Sequence, residues 1–410
     1  MSTYAIVGAG LAGAKAAQTL REEGFTGEIV LIGAEQERPY ERPPLSKGYL
    51  QGSTEVAKVY VHEPGWYAEH DVRLLLGVAA TAVDPEAHTV HLDSGERQPY
   101  DKLLIATGAT PRPLPVDGAD LEGVHYLRTL ADSQALRAAF AHQGNVVVIG
   151  GGWIGLETAA AARQAGCAVT IVEPEPTPLH RTFGPAVGEI FAELHRRHGV
   201  EVLLGVSVAR LEGAGHVRHV ITSDGRSLPA DDVVVGIGAA PNVELARGAG
   251  LEVADGIVVD ASLRTSHPDI YAAGDVAEAM NPLLGRPIRV EHWANALNGG
   301  PAAARAMLGR DVVYDRVPYF FTDQYELGME FSGDITGHDR VVYRGPVESL
   351  EFVAFWLREN RVLAGMNVNV WDVTDDIQAL VRAGRAGTAV DPARLTDPGV
   401  PLGDLLPGPA

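Results

Sequence analysis

Apolar runs of strand length alternate with alanine-rich segments in the chain, and one arrangement of them occurs twice. In the first copy, a strand over 5–7 is followed by a helical pattern and by a second strand over 29–32; the helix packs through Ala14, Ala16, Ala17 and Leu20. In the second copy, the corresponding strands cover 146–149 and 168–172. The order strand, helix, strand predicts parallel α/β units. We therefore expect two such units in one α/β protein.

Glycines stand at the turn between strand and helix in the first copy. Gly8, Gly10 and Gly13 have the spacing G-x-G-x-x-G, and Glu35 follows the second strand. In Rossmann-like units such glycines allow a tight turn, close approach of the backbone to a pyrophosphate, and contact between helix and strand. The helix N-terminus attracts phosphate, and the acid can accept hydrogen bonds from ribose hydroxyls. The first copy is therefore predicted to bind a dinucleotide.

The second copy repeats this pattern. Its predicted NAD contacts are the loop and helix-start residues Gly150, Gly152, Ile154 and Gly155, with Glu157 in the first helical turn and Glu173 at the end of the next strand. An acid at that strand end favours the 2′-hydroxyl of NADH and repels the 2′-phosphate of NADPH. Arg181 lies a few residues further on and could weaken this preference. NADH is expected, and NADPH is the less favoured alternative.

Two dinucleotide units in one chain suggest an FAD domain interrupted by an NAD domain. Residues 103–115 predict a strand, a tight turn at Thr107–Gly108 and a proline-rich crossover. Residues 233–242 are interpreted as the return crossover, and 268–278 place Gly274 and Asp275 after a strand. The predicted FAD domain is 1–109 with 233–311, and the NAD domain is 110–232. Thr107, Gly108 and Gly274 are predicted to contact the FAD.

A different pattern begins at residue 312. Segment 348–370 predicts alternating strands around a turn near Glu359–Asn360, and 372–384 predicts a capped helix ended by Gly384. The tail, rich in Pro, Gly and Asp, is expected to be loop. Residues 312–410 are therefore predicted to form a small C-terminal α+β domain.

Composition limits the chemistry. The chain has 410 residues, a net charge of −20 and one cysteine, Cys167, so it has no intrachain disulfide, dithiol relay or thiolate metal cage. We interpret Cys167 as a core residue and expect no metal site. The charge argues against nucleic acid as a partner. No apolar run is long enough to span a membrane, and the N-terminus lacks a signal pattern, so a cytoplasmic protein is expected.

Several segments together are more specific than the glycine loops: VGAGLAG, ERPYERPPLSK, LLIATGATPR, LRTLADSQAL, VVIGGGWIGLE, DIYAAGDV, EHWANALN and FFTDQ. Through them the chain resembles the FAD-dependent ferredoxin reductases of oxygenase systems, within the glutathione-reductase-like superfamily of two-dinucleotide flavoproteins. Its C-terminal part is also similar to apoptosis-inducing-factor-like reductases. The resemblance implies FAD contacts at Gly8, Gly10, Gly13, Glu35, Arg42, Lys47, Arg128 and Asp275. Surface ion pairs are the alternative for Arg42 and Arg128.

The same resemblance assigns roles around the flavin. The residues PPLSK predict a helix that begins near Leu45 or Ser46. The resemblance implies that the Lys47 ammonium lies beside the flavin and pairs with Glu157. It places Glu291 and Trp293 near the flavin pyrimidine ring, at the start of a helix that Pro301 should kink or break. Phe321 stands where these reductases usually carry a tryptophan; stacking on a cofactor and simple packing both stay open.

The predicted function is hydride transfer from NADH to FAD, followed by single-electron transfer to a [2Fe–2S] or other small iron–sulfur ferredoxin. By resemblance, that ferredoxin feeds a cytochrome P450 or a ring-hydroxylating dioxygenase. One alternative is a redox-responsive interaction protein of the apoptosis-inducing-factor type. Another is an NADH oxidase or diaphorase with a different acceptor. We expect a monomer or a homodimer. Arg305, Arg310 and Arg316 are either a docking face for the ferredoxin or a solvated surface.

Overall fold

The computed structural model describes residues 2–406. Met1 and the last four residues of the predicted C-terminal domain, 407–410, lie outside the described residues. Two parallel sheets and one antiparallel sheet form the framework, as the predicted fold class requires.

The first sheet has five parallel strands, in the order Ile270–Ala272, Lys102–Ile105, Thr3–Val7, Glu28–Gly33 and Val72–Leu76. Helix Leu11–Glu22 connects the third and fourth of these and packs closely on helix Trp293–Met307. A Cβ added to Gly300 would lie 2.2 Å from the Ala12 carbonyl oxygen, so the two helices touch through backbone. Helix Trp293–Met307 runs through Pro301 without interruption, so the predicted break is absent.

The second sheet is also parallel, in the order Glu201–Leu204, Ala168–Glu173, Asn145–Ile149, Asp232–Val235 and Val124–His125. The interpretation of 233–242 as the return crossover is therefore wrong in its first half, and the predicted domain boundary before Val233 cuts a strand of this sheet. Val233, Val234 and Val235 are all buried, and a continuous apolar run suits a parallel strand covered on both faces. The crossovers are instead the short antiparallel pair Ala109–Pro111 and Ala239–Pro241.

The third sheet is antiparallel, in the order Tyr319–Gln324, Leu327–Gly333, Arg361–Val368, Phe352–Arg358 and Arg340–Arg344. The predicted turn at Glu359–Asn360 is confirmed, and both residues have positive φ (51° and 64°), as a tight hairpin turn requires. Helix Thr374–Arg385 packs on this sheet, and Gly384 lies inside it rather than ending it. A Cβ on Gly384 would lie 2.1 Å from the Val362 oxygen, so this glycine permits close contact of helix and strand.

Shorter elements complete the described chain. The small sheets comprise Ala80–Asp84, Thr89–Leu92 and Arg97–Pro99; Val208–Gly213, Val217–Thr222 and Ser227–Pro229; and Ile257–Val259, Ala277–Asn281 and Arg286–Arg289. The further helices are Trp66–Glu69, Leu130–Phe140, Trp153–Gln164, His180–Phe183, Pro185–Arg197, Glu244–Gly248 and Pro392–Thr396. The 3₁₀ turns are Pro43–Ser46, Val56–Val59, Gly274–Val276, Val347–Ser349 and Leu402–Leu405.

Two of these elements correct local predictions. The 3₁₀ turn Pro43–Ser46 replaces the helix expected to begin near Leu45 or Ser46. Its two prolines suit a first turn, but the backbone leaves the helical conformation at Lys47 (φ −121°, ψ −123°). The tail was expected to be loop, but it contains helix Pro392–Thr396 and a 3₁₀ turn. Buried Leu395, Leu402 and Leu405 attach it to the core.

Candidate functional site

The first glycine loop combines tight packing with one open position. A Cβ on Gly8 (φ 118°) would lie 2.1 Å from the Ala106 oxygen, and one on Gly13 would lie 2.1 Å from the Gly8 oxygen. Both glycines are therefore needed for the contacts between strand, turn and helix. A Cβ on Gly10 would meet nothing within 4 Å. Gly10 thus faces open space at the N-terminus of helix Leu11–Glu22, where unpaired N–H groups suit an anion.

The second loop has the same construction. A Cβ on Gly150 (φ 103°) would lie 2.4 Å from the Gly236 oxygen, and one on Gly155 would lie 2.0 Å from the Gly150 oxygen. At Gly152 the nearest atom to an added Cβ is 3.8 Å away. The second loop therefore also offers an open position at a helix start, next to Ile154, whose side chain is exposed.

The acid of the first unit is already connected to its surroundings. Glu35 accepts a hydrogen bond from the buried Tyr40 hydroxyl and lies 3.3 Å from the Arg42 guanidinium. Burial raises the pKa of Tyr40 to about 12, so the phenol stays protonated and donates. Its hydroxyl oxygen also accepts the Leu130 N–H. These contacts fix the Glu35 carboxylate just beyond the carboxyl end of strand Glu28–Gly33.

The acid of the second unit is used differently. Glu173 is buried, and its two oxygens accept the backbone N–H groups of Gly151 and Glu175. The carboxylate therefore holds the second glycine loop in place. Arg181 is exposed and pairs with Glu175, so it does not contact Glu173. The predicted weakening of the NADH preference by Arg181 has no direct contact to support it.

Arg128 and Asp275 form an ion pair at 2.9 Å, and Arg42 donates to the Arg128 carbonyl oxygen. Burial and the nearby Arg42 charge lower the pKa of Arg128, while Asp275 opposes this shift. The buried Nε of Arg128 has no partner among the described residues. Buried donors of this kind are usually satisfied by a water, an ion or a bound molecule.

Two turns close this part of the site. The Thr107 hydroxyl donates to the Asn242 backbone carbonyl oxygen at 2.8 Å, and the Asn242 side-chain amide donates to the Thr107 backbone carbonyl oxygen at 2.8 Å. Gly108 (φ 69°) and Gly274 (φ 79°) supply the left-handed backbone at their turns. The predicted strand before Gly274 and Asp275 is confirmed.

Lys47 and Glu157 meet at the junction of the two units. The Lys47 ammonium lies 2.7 Å from Glu157 Oε2, and the Glu157 side chain is 4% exposed. Ser46 donates to the same Oε2 atom, and Thr322 donates to Oε1 at 2.6 Å. The pairing of Lys47 with Glu157 predicted from the resemblance is present. Three donors therefore converge on one buried carboxylate.

An aromatic corner adjoins this pair. The Lys47 ammonium lies 5.5 Å from the centre of the Phe321 ring, within the range of cation–π attraction. Phe321 meets Trp293 edge to face at 6.0 Å. Glu291 pairs with Arg289. Phe321 thus packs on protein groups while still facing the cleft.

One cleft of about 1670 Å³ joins these groups. Most of the residues predicted to contact FAD line it: Gly8, Gly10, Glu35, Arg42, Lys47, Thr107, Gly108, Arg128, Gly274, Asp275, Glu291, Trp293 and Phe321. From the second unit, the wall includes Gly152, Ile154 and Glu157. Gly13, Gly150, Gly155, Glu173 and Arg181 are not part of the wall; the three glycines and Glu173 support the loops from behind.

Three residues of the site were missed from the sequence. Ser46 precedes Lys47, Thr322 follows Phe321, and Tyr40 lies in the same segment as Arg42. Each lay inside a segment used for the resemblance, so adjacency to a predicted site residue was the available signal. Their partners, however, are up to 165 positions away in the sequence.

Two dinucleotide-type cradles that open on a common cleft define the class of two-dinucleotide oxidoreductases. The chain belongs to the pyridine nucleotide-disulphide oxidoreductase family, whose model matches residues 2–300. A second model, reductase C-terminal, matches residues 319–406, which include the antiparallel sheet.

Full-length relatives agree with this assignment. The chain is 40% identical to the anthranilate 1,2-dioxygenase system ferredoxin–NAD(+) reductase component of Burkholderia cepacia, over 98% of this chain and 99% of the relative. It is 38% identical to putidaredoxin reductase of Pseudomonas putida, over 98% and 96%. The reductase in a crystal structure of the covalent putidaredoxin reductase–putidaredoxin complex matches with a TM-score of 0.94 and 37% identity, over 98% of both chains. The resemblance inferred from the sequence is confirmed.

Two further observations concern residues 2–406. None of their helices is both long and apolar enough to cross a bilayer. They contain no cluster of three or more His, Cys, Asp or Glu side chains arranged to hold a metal ion.

Proposed function

We propose that this chain is an FAD-dependent oxidoreductase that takes hydride from NADH and passes electrons one at a time to a small iron–sulfur ferredoxin. The observation that carries the proposal is the single cleft onto which both open glycine positions, Gly10 and Gly152, face, with the Lys47–Glu157 pair at their junction. The relatives named as ferredoxin reductases support the acceptor class. By the same likeness, the ferredoxin would serve a P450 or a dioxygenase.

The residues of the cleft fit FAD. The open position at Gly10 and the N-terminus of helix Leu11–Glu22 would take the pyrophosphate, and Arg42 would add positive charge. Glu35 would accept from ribose hydroxyls, and Asp275 from the ribityl chain. The unpartnered Arg128 Nε is a donor that such a molecule could satisfy, and Trp293 lines the same cleft. When bound, FAD would accept two electrons from NADH together and release them one at a time.

The second cradle would hold NADH through Gly152 and the N-terminus of helix Trp153–Gln164. Glu173 would favour NADH through its negative charge close to the loop, although its oxygens already accept backbone N–H groups. Lys47 would place a positive charge where negative charge grows during reduction, and Glu157 keeps that ammonium in position. No catalytic thiol is required. Cys167 is fully buried beneath the second sheet.

A cytoplasmic location belongs to the same proposal, supported by the absence of a disulfide framework in the sequence. The other predicted domain limits, at 109/110 and 311/312, also remain proposals.

The direct test is anaerobic reduction of the purified yellow protein by NADH, followed by mixing with oxidised [2Fe–2S] ferredoxins. We expect bleaching of the flavin absorbance by NADH and rapid recovery only when ferredoxin is present; cytochrome c reduction should also depend on added ferredoxin. Rapid recovery with oxygen or a quinone alone would support an oxidase or diaphorase instead. A long-lived reduced complex that no ferredoxin reoxidises would support an interaction protein and contradict the proposal.

A further inference from the structure

A row of buried polar side chains leads from the Lys47–Glu157 pair into the interior. Thr322 Oγ1 donates to Glu157 Oε1 at 2.6 Å, and Gln324 Nε2 donates to Thr322 Oγ1 at 3.2 Å. His195 Nε2 lies 3.0 Å from Gln324 Oε1. Thr322, Gln324 and His195 are completely buried. Burying this many polar groups is unfavourable unless each is hydrogen-bonded, so the row is a specific construction.

The row joins all three parts of the chain. Lys47 comes from the first unit, and Glu157 and His195 come from helices of the second. Thr322 and Gln324 come from the first strand of the antiparallel sheet, two positions apart and therefore on the same face. A buried strand face normally carries apolar residues. Here two of its polar residues point toward the carboxylate that holds Lys47.

Each hydrogen bond in the row is donated in the direction of Glu157. Burial lowers the pKa of His195 to about 4, so the ring is neutral near neutral pH. Because Nδ1 has no partner among the described residues and Nε2 faces an amide oxygen, we assign the ring proton to Nε2. Gln324 must then turn its NH₂ group to Thr322, whose hydroxyl has one proton left to donate, and that proton goes to Glu157.

We propose that Thr322, oriented by Gln324 and His195, is a positioning residue that fixes the Glu157 carboxylate and, through it, the Lys47 ammonium. Oε2 of Glu157 receives Lys47 and Ser46, whereas Thr322 is the protein donor recorded on Oε1. Loss of the Thr322 hydroxyl leaves Oε1 buried without a partner, so the carboxylate rotates or shifts to recover one. The inference rests on the proposed function, because it assumes that Lys47 acts on bound FAD.

Thr322→Val tests this inference, because valine keeps the shape of threonine and removes its hydroxyl. In anaerobic stopped-flow experiments at saturating NADH, we expect FAD reduction to slow on the order of tenfold, as for loss of one hydrogen bond to a charged group. The Kd for NADH should not change, because Thr322 does not line the cleft. Thr322→Ser should restore the rate. The reduction potential of FAD should become more negative, in the same direction as in Lys47→Met.

Thr158→Val is the matched control. Thr158 is also completely buried and is adjacent to Glu157 in sequence, but its hydroxyl donates to the backbone oxygens of Ile154 (2.7 Å) and Gly155 (3.0 Å). We expect an unchanged rate. If Thr322→Val does not fold, Thr322→Ala is compared with Thr158→Ala, since both changes empty the same volume. Gln324→Met should slow reduction by itself and add nothing to Thr322→Val.

The outcomes separate this inference from the proposed function. If Lys47→Met slows reduction but Thr322→Val does not, the positioning role is wrong and the proposed function stands. The positioning role is also wrong if Thr158→Val slows reduction equally, or if Thr322→Ser fails to restore the rate. If Lys47→Met itself leaves the rate of reduction unchanged, the proposed placement of Lys47 fails first.

Discussion

Removing the charge of Lys47 should have two effects, and a second substitution can separate them. In Lys47→Met, the Glu157 carboxylate stays buried with Ser46 and Thr322 as donors but without its counter-charge. In the double variant Lys47→Met/Glu157→Gln, both charges are gone, and the glutamine oxygen can still accept from a hydroxyl. We expect stability to recover in the double variant and flavin reduction to stay slow.

The magnitudes follow from the burial of the pair. Side-chain exposure is 14% for Lys47 and 4% for Glu157, and the N–O distance is 2.7 Å. Removing one partner of a buried pair typically costs about 3–5 kcal/mol. The two remaining hydroxyl donors and the partial exposure of Lys47 place this case near the lower end, at about 3 kcal/mol. Neutralising both partners should bring the cost below about 1 kcal/mol, because no unpaired charge remains.

Stability is measured by thermal unfolding of the FAD-bound protein, followed by flavin fluorescence. A loss of about 3 kcal/mol should lower Tm by roughly 6–12 °C in a cooperative unit of 150–250 residues. The rate of FAD reduction by NADH, measured by stopped flow, should fall about 100-fold in both variants, as for loss of one preorganised electrostatic group. Recovery of the rate together with stability would refute the reasoning, because Lys47 would then serve only to neutralise Glu157.

Three further predictions concern the two cradles. Gly10 and Gly152 both have extended backbone (φ −90° and −80°), so valine is allowed at each. Gly10→Val should fold without FAD, as measured by the absence of flavin absorbance. Gly152→Val should keep its flavin absorbance but lose NADH binding, as measured by titration. Glu173→Gln removes charge but keeps an acceptor for the glycine loop, so the NADH/NADPH ratio of kcat/KM should fall, and an unaltered ratio would remove Glu173 from cofactor selection. Arg42→Ala should release FAD during dialysis, while Arg305→Ala, which breaks only an exposed pair with Glu23, should retain it.

The two cradles could be predicted from the sequence because everything that defines them is local. Gly8, Gly10 and Gly13 lie within six positions, and the strand, turn and helix around them form from neighbouring residues. The pairing of Lys47 with Glu157 was available only through the resemblance, because no spacing rule connects residues 110 positions apart.

Predictions that depended on tertiary packing were less successful. Val233–Val235 could have been a crossover or a buried strand, and the neighbours that bury it decide which. Proline alone indicates a kink or break at Pro301, but the helix runs through this residue while Gly300 packs on Ala12. Thr322 and Gln324 are ordinary polar residues of a strand until the antiparallel sheet docks on the second unit. Their function as donors exists only in that interface.

The family takes its name from disulphide chemistry, yet this chain has one cysteine, and that cysteine cannot take part. Cys167 is fully buried, its sulfur lies 3.5 Å from the Phe140 oxygen, and burial raises the pKa of the thiol. A buried neutral thiol is a poor nucleophile, and a single thiol cannot form an internal disulfide. In the proposed function, the residues of the cleft position two cofactors without a protein redox group, so electrons would leave directly from a cofactor. An acceptor that approaches the cleft, such as the proposed ferredoxin, fits this arrangement.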